Sequence, residues 1–363
     1  MEKDIHLNKR MIIMKIKKLY IACLSLAMTV SFSACGDTTQ HEDTLANWKW
    51  DKIESNPDIV SQGWQNVNSE FGSMPAYLNV YKSPATLEGK SAIAYIAVAD
   101  MTRATFGVLG NVHWSDDFSG YGNEHLYTPE EFYNNNGSPL VVINGGLFFE
   151  SGGFYYSQST LYKDGQMLSP NQNYWSENWT DFWYPTIGCF YQKKDGTFEA
   201  TWTYYANDGK DYSYADCKKI DLTTPETVAP DATSPSQGLV LNDGTAVNAI
   251  GGVSVLIHNG EIKNTWEDEL QDVAANSQQP RTAIGYNATD NKLIFFVCEG
   301  RNMTEGVAGL TTAQVAAVLK AQGCTEALNL DGGGSSCMLI NGKETIKPSD
   351  GHQRAVLDGC FIK

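Results

Sequence analysis

Two antiparallel hairpins are encoded in the C-terminal part of the chain. Apolar runs flank Asn259-Gly260, a dipeptide typical of two-residue hairpin loops. A second pair of apolar runs, 282–286 and 292–297, flanks a polar loop. Because an isolated hairpin is at best marginally stable in water, these strands must join a larger sheet.

The spacing of apolar residues changes from a strand-like to a helical pattern after the hairpins. Thr311 precedes an amphipathic stretch that ends at Gly323, which predicts a capped helix of about three turns. Short apolar runs at 293–297 and 327–330 lie on either side of it. We therefore predict a parallel βαβ element within an α/β (α+β) fold of mixed, largely antiparallel β-sheets with a few helices.

The predicted βαβ element brings two polar loops to one edge of the sheet. Glu299 and Arg301 follow its first strand, and the second is followed by Asp331, Gly332, Gly333, Gly334, Ser335 and Ser336. Parallel strands end at the same edge, where open α/β sheets bind ligands. Three consecutive glycines have no Cβ atoms, so the backbone N–H groups of this loop can approach an anion closely. The pattern favours a phosphate-binding site over a plain turn, although it matches neither a P-loop nor a nucleophile elbow.

Four motifs stand in the order seen in the phosphodiester glycosidase family, which the chain resembles over roughly residues 92–363. They are Asn144-Gly145-Gly146-Leu147-Phe148-Phe149, Pro280-Arg281-Thr282-Ala283-Ile284-Gly285, Asn329-Leu330-Asp331-Gly332-Gly333-Gly334-Ser335-Ser336 and Arg354-Ala355-Val356. Two positions depart from the pattern. Glu299 stands where many members have Asp, which changes the reach of that carboxylate, and Leu147 replaces the usual Phe.

The resemblance implies hydrolysis of a sugar-1-phosphodiester at the anomeric carbon, which gives a free, N-acetylglucosamine-like sugar and a phosphomonoester and requires no cofactor. Such chemistry uses one carboxylate at the anomeric carbon and a second carboxyl for a proton. Asp331 and Glu299 are the predicted catalytic pair, with their individual roles left open.

The departing phosphate needs its negative charge neutralised. The residues predicted to bind the substrate and its phosphate are Arg281, Arg301, Arg354, Asn144, Gly145, Gly332, Gly333, Gly334, Ser335 and Ser336. Asn144 is equally compatible with a simple turn. No histidine spacing indicates a metal, and a structural metal is left open.

The N-terminal region predicts export. A basic segment, a short apolar run and small residues before Cys35 are typical of a lipoprotein signal, although an ordinary signal-peptidase site is the alternative. We expect a signal peptide over 1–34, lipidation of Cys35, a tether and N-terminal extension over 35–75 and a phosphodiester glycosidase domain over 76–363, with an aromatic-rich insertion or subdomain near 150–240. The expected location is the bacterial cell envelope, facing the periplasm or the cell surface, with the N-terminal lipid as the sole membrane contact.

Charge and composition limit the partners. The formal net charge is −16, which disfavours nucleic acid. We expect a carbohydrate phosphodiester as substrate and leave the oligomeric state and any disulfide pairing open. Two rival functions remain: a metal-dependent phosphodiesterase that breaks the P–O bond, and a non-catalytic glycan-binding lipoprotein that uses Trp175, Trp179 and Trp183. Asp350 is expected to be solvated.

Overall fold

The computed structural model describes residues 57–230 and 237–363. The predicted signal peptide, Cys35 and the first part of the predicted tether lie outside these residues. Five α-helices occur in the described part: α1 (Pro57–Ser61), α2 (Asn68–Phe71), α3 (Pro129–Asn135), α4 (Trp266–Glu269) and α5 (Thr312–Ala321). Within those ranges, no helix combines the length and apolar character needed to span a membrane.

Short strands make up most of the regular structure. Numbered along the described chain, they are β1 (Gln65–Asn66), β2 (Leu78–Lys82), β3 (Thr86–Leu87), β4 (Lys90–Ser91), β5 (Ala94–Asp100), β6 (Phe106–Gly110), β7 (His113–Ser115), β8 (Gly120–Asn123), β9 (Val141–Asn144), β10 (Phe148–Ser151), β11 (Phe154–Ser157), β12 (Leu161–Lys163), β13 (Gln166–Ser169), β14 (Ile187–Lys193), β15 (Phe198–Tyr205), β16 (Asp211–Tyr214), β17 (Gln237–Val240), β18 (Ala246–Gly251), β19 (Val255–His258), β20 (Glu261–Ile262), β21 (Arg281–Asn287), β22 (Lys292–Cys298), β23 (Glu326–Asn329), β24 (Met338–Ile340), β25 (Lys343–Glu344) and β26 (Asp358–Ile362).

These strands form four larger sheets and one two-stranded ribbon. An eight-stranded sheet has the order β1-β2-β5-β22-β21-β23-β19-β20, and a seven-stranded sheet has the order β13-β12-β18-β14-β15-β16-β17. A five-stranded sheet (β25-β24-β9-β26-β6) and a four-stranded sheet (β10-β11-β8-β7) complete the set with the β3-β4 ribbon. The prediction of a largely antiparallel β fold with few helices is confirmed.

The predicted parallel βαβ element is wrong. Strand β21 lies between β22 and β23 and pairs antiparallel with both, with Arg281 opposite Cys298 and Ala283 opposite Asn329. The hairpin partner β21 thus occupies the place next to β23 that the prediction gave to β22. Both β22 and β23 nevertheless run in the same direction, so the loops that follow them leave from one edge of the sheet.

The eight-stranded sheet is buried on both faces. One face contributes Ile284 and Phe295 to a large cluster that includes Phe190 and Trp202 of the seven-stranded sheet. The other face packs against α5, which buries Leu319. Helix α5 begins as predicted, because Thr311 and Gln314 form a capping box.

The cysteines of the described residues are all buried free thiols: Cys189, Cys217, Cys298, Cys324, Cys337 and Cys360. Burial raises the pKa of Cys298 to about 12. These side chains therefore serve as small apolar packing groups.

Candidate active site

The glycine loop after β23 is a tight turn whose amides are largely engaged within the protein. Residues Gly333–Ser335 form a single 3₁₀ turn, and Gly333 has a φ of +58°. The amide of Gly332 donates to Oδ1 of Asp331 at 2.8 Å, and the amide of Gly333 donates to the carbonyl of Pro280 at 2.9 Å. Of the three glycine amides predicted to bind phosphate, these two therefore have internal acceptors, and Gly334 is left as the better candidate.

Two arginines lie against the glycine loop. A Cβ on Gly333 would come within 2.6 Å of Nη2 of Arg301, and a Cβ on Gly334 would overlap Nη2 of Arg354. A side chain at either position would have to displace a guanidinium group, and the positive φ of Gly333 additionally favours glycine there. The structure brings Arg301 and Arg354 together with the loop.

Asp350 joins these arginines. Its Oδ2 accepts hydrogen bonds from Nε and Nη2 of Arg354 at 2.8 and 2.7 Å, and its Oδ1 lies 3.9 Å from Nη1 of Arg301. Asp350 is exposed, as expected, and it is also the ion-pair partner of both arginines. Asp350 carries one negative charge against the two guanidiniums, and both arginine side chains remain over 40% exposed. Such a cluster suits an anionic ligand.

Asp331 is half-buried at the start of the glycine loop. Burial raises its pKa, whereas hydrogen bonds from Ser335 and Gly332 and the charges of Arg354 and Arg281 oppose the rise. The carboxylate is therefore held among hydrogen-bond donors and cations.

Asn144 is a buried connector rather than an exposed donor. It is fully buried, and its Nδ2 donates to the carbonyl of Asp331 at 2.8 Å. Its Oδ1 accepts from Oγ1 of Thr282 at 2.7 Å and from the amide of Cys337 at 3.1 Å. The adjacent Gly145 carbonyl accepts the amide of Asp331 at 2.9 Å. Asn144 and Gly145 thus hold both ends of the glycine loop in place.

Arg281 is buried, unlike the other two arginines. It is 1% exposed, and its guanidinium donates to the backbone carbonyls of Val273, Ala274, Ser277 and Leu310. Four of its five N–H groups are thereby occupied within the described structure. Burial lowers the pKa of Arg281 to about 10, so the group stays charged at neutral pH and acts on Asp331 through its field.

Glu299 is held by a backbone amide. It is 2% exposed, and Oε2 accepts from the amide of Lys347 at 3.2 Å. Oε1 has no partner among the described residues. The described hydrogen bonds of Asp331 do not include Glu299. The carboxylate instead supports the segment that leads to Asp350.

Asp358 is a carboxyl that the sequence reasoning missed. It is 1% exposed at the start of β26, its Oδ1 accepts from the amide of Gly146 at 2.7 Å, and its Oδ2 lacks a partner within the described ranges. Burial raises the pKa of Asp358 to about 7; the Gly146 amide opposes the rise, and the negative charge of Asp331 adds to it. In the sequence, Asp358 could have been recognised as an acidic residue within the otherwise apolar run 355–362.

The serines and the possible metal ligands complete the description. Ser335 and Ser336 are each 1% exposed; Oγ of Ser335 accepts from Nη1 of Arg354 at 3.5 Å. In the part of the chain that the structure describes, no three His, Cys, Asp or Glu side chains are grouped so as to hold a metal ion.

Comparison with known proteins identifies the family. The family model for phosphodiester glycosidases matches residues 138–363, which is more than half of the chain. This chain belongs to the phosphodiester glycosidase family. The matched range contains the Asn144 motif, the glycine loop and all three arginines.

Curated relatives align with this family member over a limited stretch. The N-acetylglucosamine-1-phosphodiester alpha-N-acetylglucosaminidase of Mus musculus is 33% identical over 114 residues, which is 29% of this chain and 21% of the mouse protein. The SPbeta prophage-derived protein YomE of Bacillus subtilis is 36% identical over 98 residues, or 27% of this chain and 14% of YomE. The chain therefore spans about a fifth or less of these relatives.

Solved structures share the fold of this phosphodiester glycosidase family member. The catalytic domain of the zebrafish N-acetylglucosamine-1-phosphodiester alpha-N-acetylglucosaminidase superposes with a TM-score of 0.50 at 22% identity, over 82% of this chain and 87% of that domain. A hypothetical protein from Synechocystis gives a TM-score of 0.52 at 13% identity, over 82% of this chain and 63% of that protein.

Proposed function

We propose that this chain is a hydrolase that cleaves sugar-1-phosphodiesters at the anomeric C–O bond. The observation that carries the proposal is the packing of Arg301 and Arg354 against the glycine loop, joined through Asp350 and next to Asp331. Cations beside a carboxylate match a substrate whose phosphate departs while positive charge develops at a sugar carbon.

The roles follow from the positions of these groups. Arg301 and Arg354 bind the phosphate, and Asp331 faces the anomeric carbon. The C–O bond breaks with its electron pair remaining on the phosphate oxygen, and a water molecule supplies the new oxygen of the sugar and releases one proton. A phosphomonoester is a good leaving group, so neutralising its charge matters more than a strong general acid.

Two buried carboxyls are available as partners of Asp331. Glu299 was predicted as the second catalytic carboxyl and remains the sequence-based candidate. The field of Asp331 acts on Asp358, which also binds the Gly146 amide in the turn that holds the Asp331 backbone. We assign Asp358 a positioning role, in which it holds the Gly145–Gly146 turn that fixes the backbone of Asp331.

The experiment that tests the proposal determines which bond breaks. Hydrolysis of methyl N-acetylglucosamine-1-phosphate in oxygen-18 water is expected to place the label in the released sugar and leave methyl phosphate unlabelled. Label in methyl phosphate would contradict the proposal and favour the phosphodiesterase, whose activity would also be sensitive to a chelator if a metal activates its water.

We also propose that the protein is exported and anchored by a lipid on Cys35. The support is the pattern of charge, apolar run and small residues before that cysteine. Cys35→Ala is expected to abolish lipid labelling and to release the protein from the membrane fraction with its activity intact. Continued membrane association of the variant would contradict the anchor.

A further inference from the structure

An aromatic groove lies beside the four-stranded sheet, outside the residues assigned to the catalytic chemistry. It has a volume of about 360 Å³, at the lower end of the range of roughly 300–1,000 Å³ typical of small-molecule sites. Six of its twelve lining residues are aromatic: Trp114, Tyr121, Phe149, Tyr156, Tyr174 and Tyr205.

The rings of this groove are exposed and held in place. Trp114 is 51% exposed and Phe149 is 46% exposed, although large aromatic side chains usually lose most of their surface on folding. Trp114 lies 5.0 Å from the ring of Tyr121, and its Nε1 donates to Oδ1 of Asp116 at 2.8 Å. Phe149 stacks on Tyr156 with centroids 5.0 Å apart and planes 10° apart. The groove therefore presents apolar ring surface without the entropic cost of ordering it on binding.

The remaining lining residues define the ligand as neutral and polar. Gln172 and Asn173 bring side-chain amides to the groove. Gln172 is held by Gln158, Gln271 and the carbonyl of Tyr174, and Nδ2 of Asn173 donates to the carbonyl of Tyr205 at 3.4 Å. These described hydrogen bonds leave the amide oxygen of Asn173 and one N–H of each side chain for hydroxyl groups. None of the twelve lining residues carries a charged side chain, although the chain as a whole has 26 basic and 42 acidic residues. Aromatic faces beside amides match the alternating C–H and O–H surfaces of a pyranose ring, whereas a phosphate would find no cation here.

The groove is joined to the site by a short connection. Phe149 lies three residues beyond Gly146, so their Cα atoms are at most about 11 Å apart. The amide of Gly146 is bound to Asp358, and the neighbouring Gly145 holds the backbone of Asp331. The amide of Leu147 is fixed to Oγ of Ser159 at 2.8 Å. The short segment 146–149 therefore connects the groove to the turn that holds Asp331.

We propose that the aromatic groove is a subsite for a neutral pyranose unit of a glycan substrate whose phosphodiester lies at Arg301 and Arg354. The link to turnover rests on the proposed function, whereas sugar binding in the groove does not. The groove differs from the tryptophan platform considered from the sequence, because Trp183 is buried against Trp175 and Trp179 alone of those three is highly exposed.

The test measures glycan binding and turnover separately. Chitotetraose is titrated by calorimetry into the Asp331→Asn protein and its Trp114→Ala, Phe149→Ala and Trp179→Ala derivatives. We expect saturable binding that weakens at least about fivefold on loss of Trp114 or Phe149. Trp179 is 73% exposed, belongs to the tryptophan platform considered from the sequence and does not line the groove, so its loss distinguishes that platform from the groove. Trp114→Phe, which keeps a ring, is expected to retain most of the affinity.

Two results would overturn the subsite. One is the absence of saturable chitotetraose binding, and the other is equal affinity in folded Trp114→Ala, Phe149→Ala and Trp179→Ala proteins, with folding checked by thermal unfolding. Saturable binding that depends on Trp114, together with no hydrolysis of any sugar-1-phosphodiester by the wild-type protein, would support the groove and reject the proposed function.

Discussion

The side-chain amide of Asn144 donates to the backbone carbonyl of Asp331 at 2.8 Å, across 187 residues of sequence. The same side chain accepts hydrogen bonds from Thr282 and from the amide of Cys337. One buried residue thus fixes β9, β21 and both ends of the glycine loop. The position of the proposed catalytic carboxylate depends on this connection.

Replacing Asn144 is expected to affect stability and activity together. Asn144→Ala leaves a buried hydroxyl, a buried amide and a carbonyl without their partner, and each such loss costs about 1–3 kcal/mol. We expect the free energy of unfolding, measured in urea, to fall by about 3 kcal/mol or more, and turnover to fall with it. Thr282→Ser keeps the hydroxyl and serves as the matched control. Full stability with lost activity would instead assign Asn144 to substrate contact.

The sequence predicted the local elements better than their arrangement. The hairpin around Asn259-Gly260 and the helix after Thr311 form as predicted, because each depends on neighbouring residues. The parallel pairing was wrong because the order of strands in a sheet depends on distant packing, which placed β21 between β22 and β23.

The residues of the candidate site also divide into those that local sequence predicted and those that depend on distant contacts. Asp331, Arg301 and Arg354 carry recognisable motif positions, and the structure brings them together. Asp350 was missed because a carboxylate in a polar segment is usually solvated, and nothing local indicates that two distant arginines share it. Asp358 was missed because its neighbours predict an ordinary strand, and its role arises from contacts with Gly145 and Gly146.

Arg354 is expected to matter for anion binding and little for stability. Its ion pair with Asp350 is over 40% exposed on the arginine side, and such pairs contribute at most about 1 kcal/mol. Arg354→Gln is expected to weaken competitive inhibition by inorganic phosphate at least about tenfold with a small change in melting temperature. Exposed Arg103, which lies over the ring of Tyr77, provides the control Arg103→Gln. Equal inhibition constants in both variants would remove Arg354 from the phosphate site.

Asp358 is expected to make stability depend on pH. Because its pKa in the folded protein is raised to about 7, the folded state keeps a proton that the unfolded chain loses near its ordinary pKa of about 3.9. The contribution of Asp358 to the free energy of unfolding is thus fully present below about pH 4. It is lost as pH rises towards 7, with a slope of up to about 1.4 kcal/mol per pH unit. Asp211 and Glu269, whose pKa values burial also raises to about 7, act in the same direction.

The measurement compares urea unfolding of the wild-type and Asp358→Asn proteins between pH 4.5 and pH 7.5. In Asp358→Asn, the free energy of unfolding is expected to lose the part of its pH dependence that corresponds to one proton. Asp117→Asn, at an exposed position, is expected to keep the wild-type pH dependence. Parallel curves for wild-type and Asp358→Asn would show that Asp358 does not change its protonation on folding.

The two predicted catalytic carboxyls are expected to differ in their effect on turnover. Asp331 is half-buried beside Arg354, whereas Glu299 is 2% exposed and bound to the amide of Lys347. Asp331→Asn is expected to lower kcat by about a thousandfold or more with little change in melting temperature, because the group acts on the substrate. Glu299→Gln keeps the shape and an acceptor oxygen for Lys347, so we expect it to retain clearly more activity than Asp331→Asn. Single-turnover rates on methyl N-acetylglucosamine-1-phosphate make the comparison independent of product release. Equal losses at unchanged stability would place Glu299 beside Asp331 in the chemistry, as the sequence predicted.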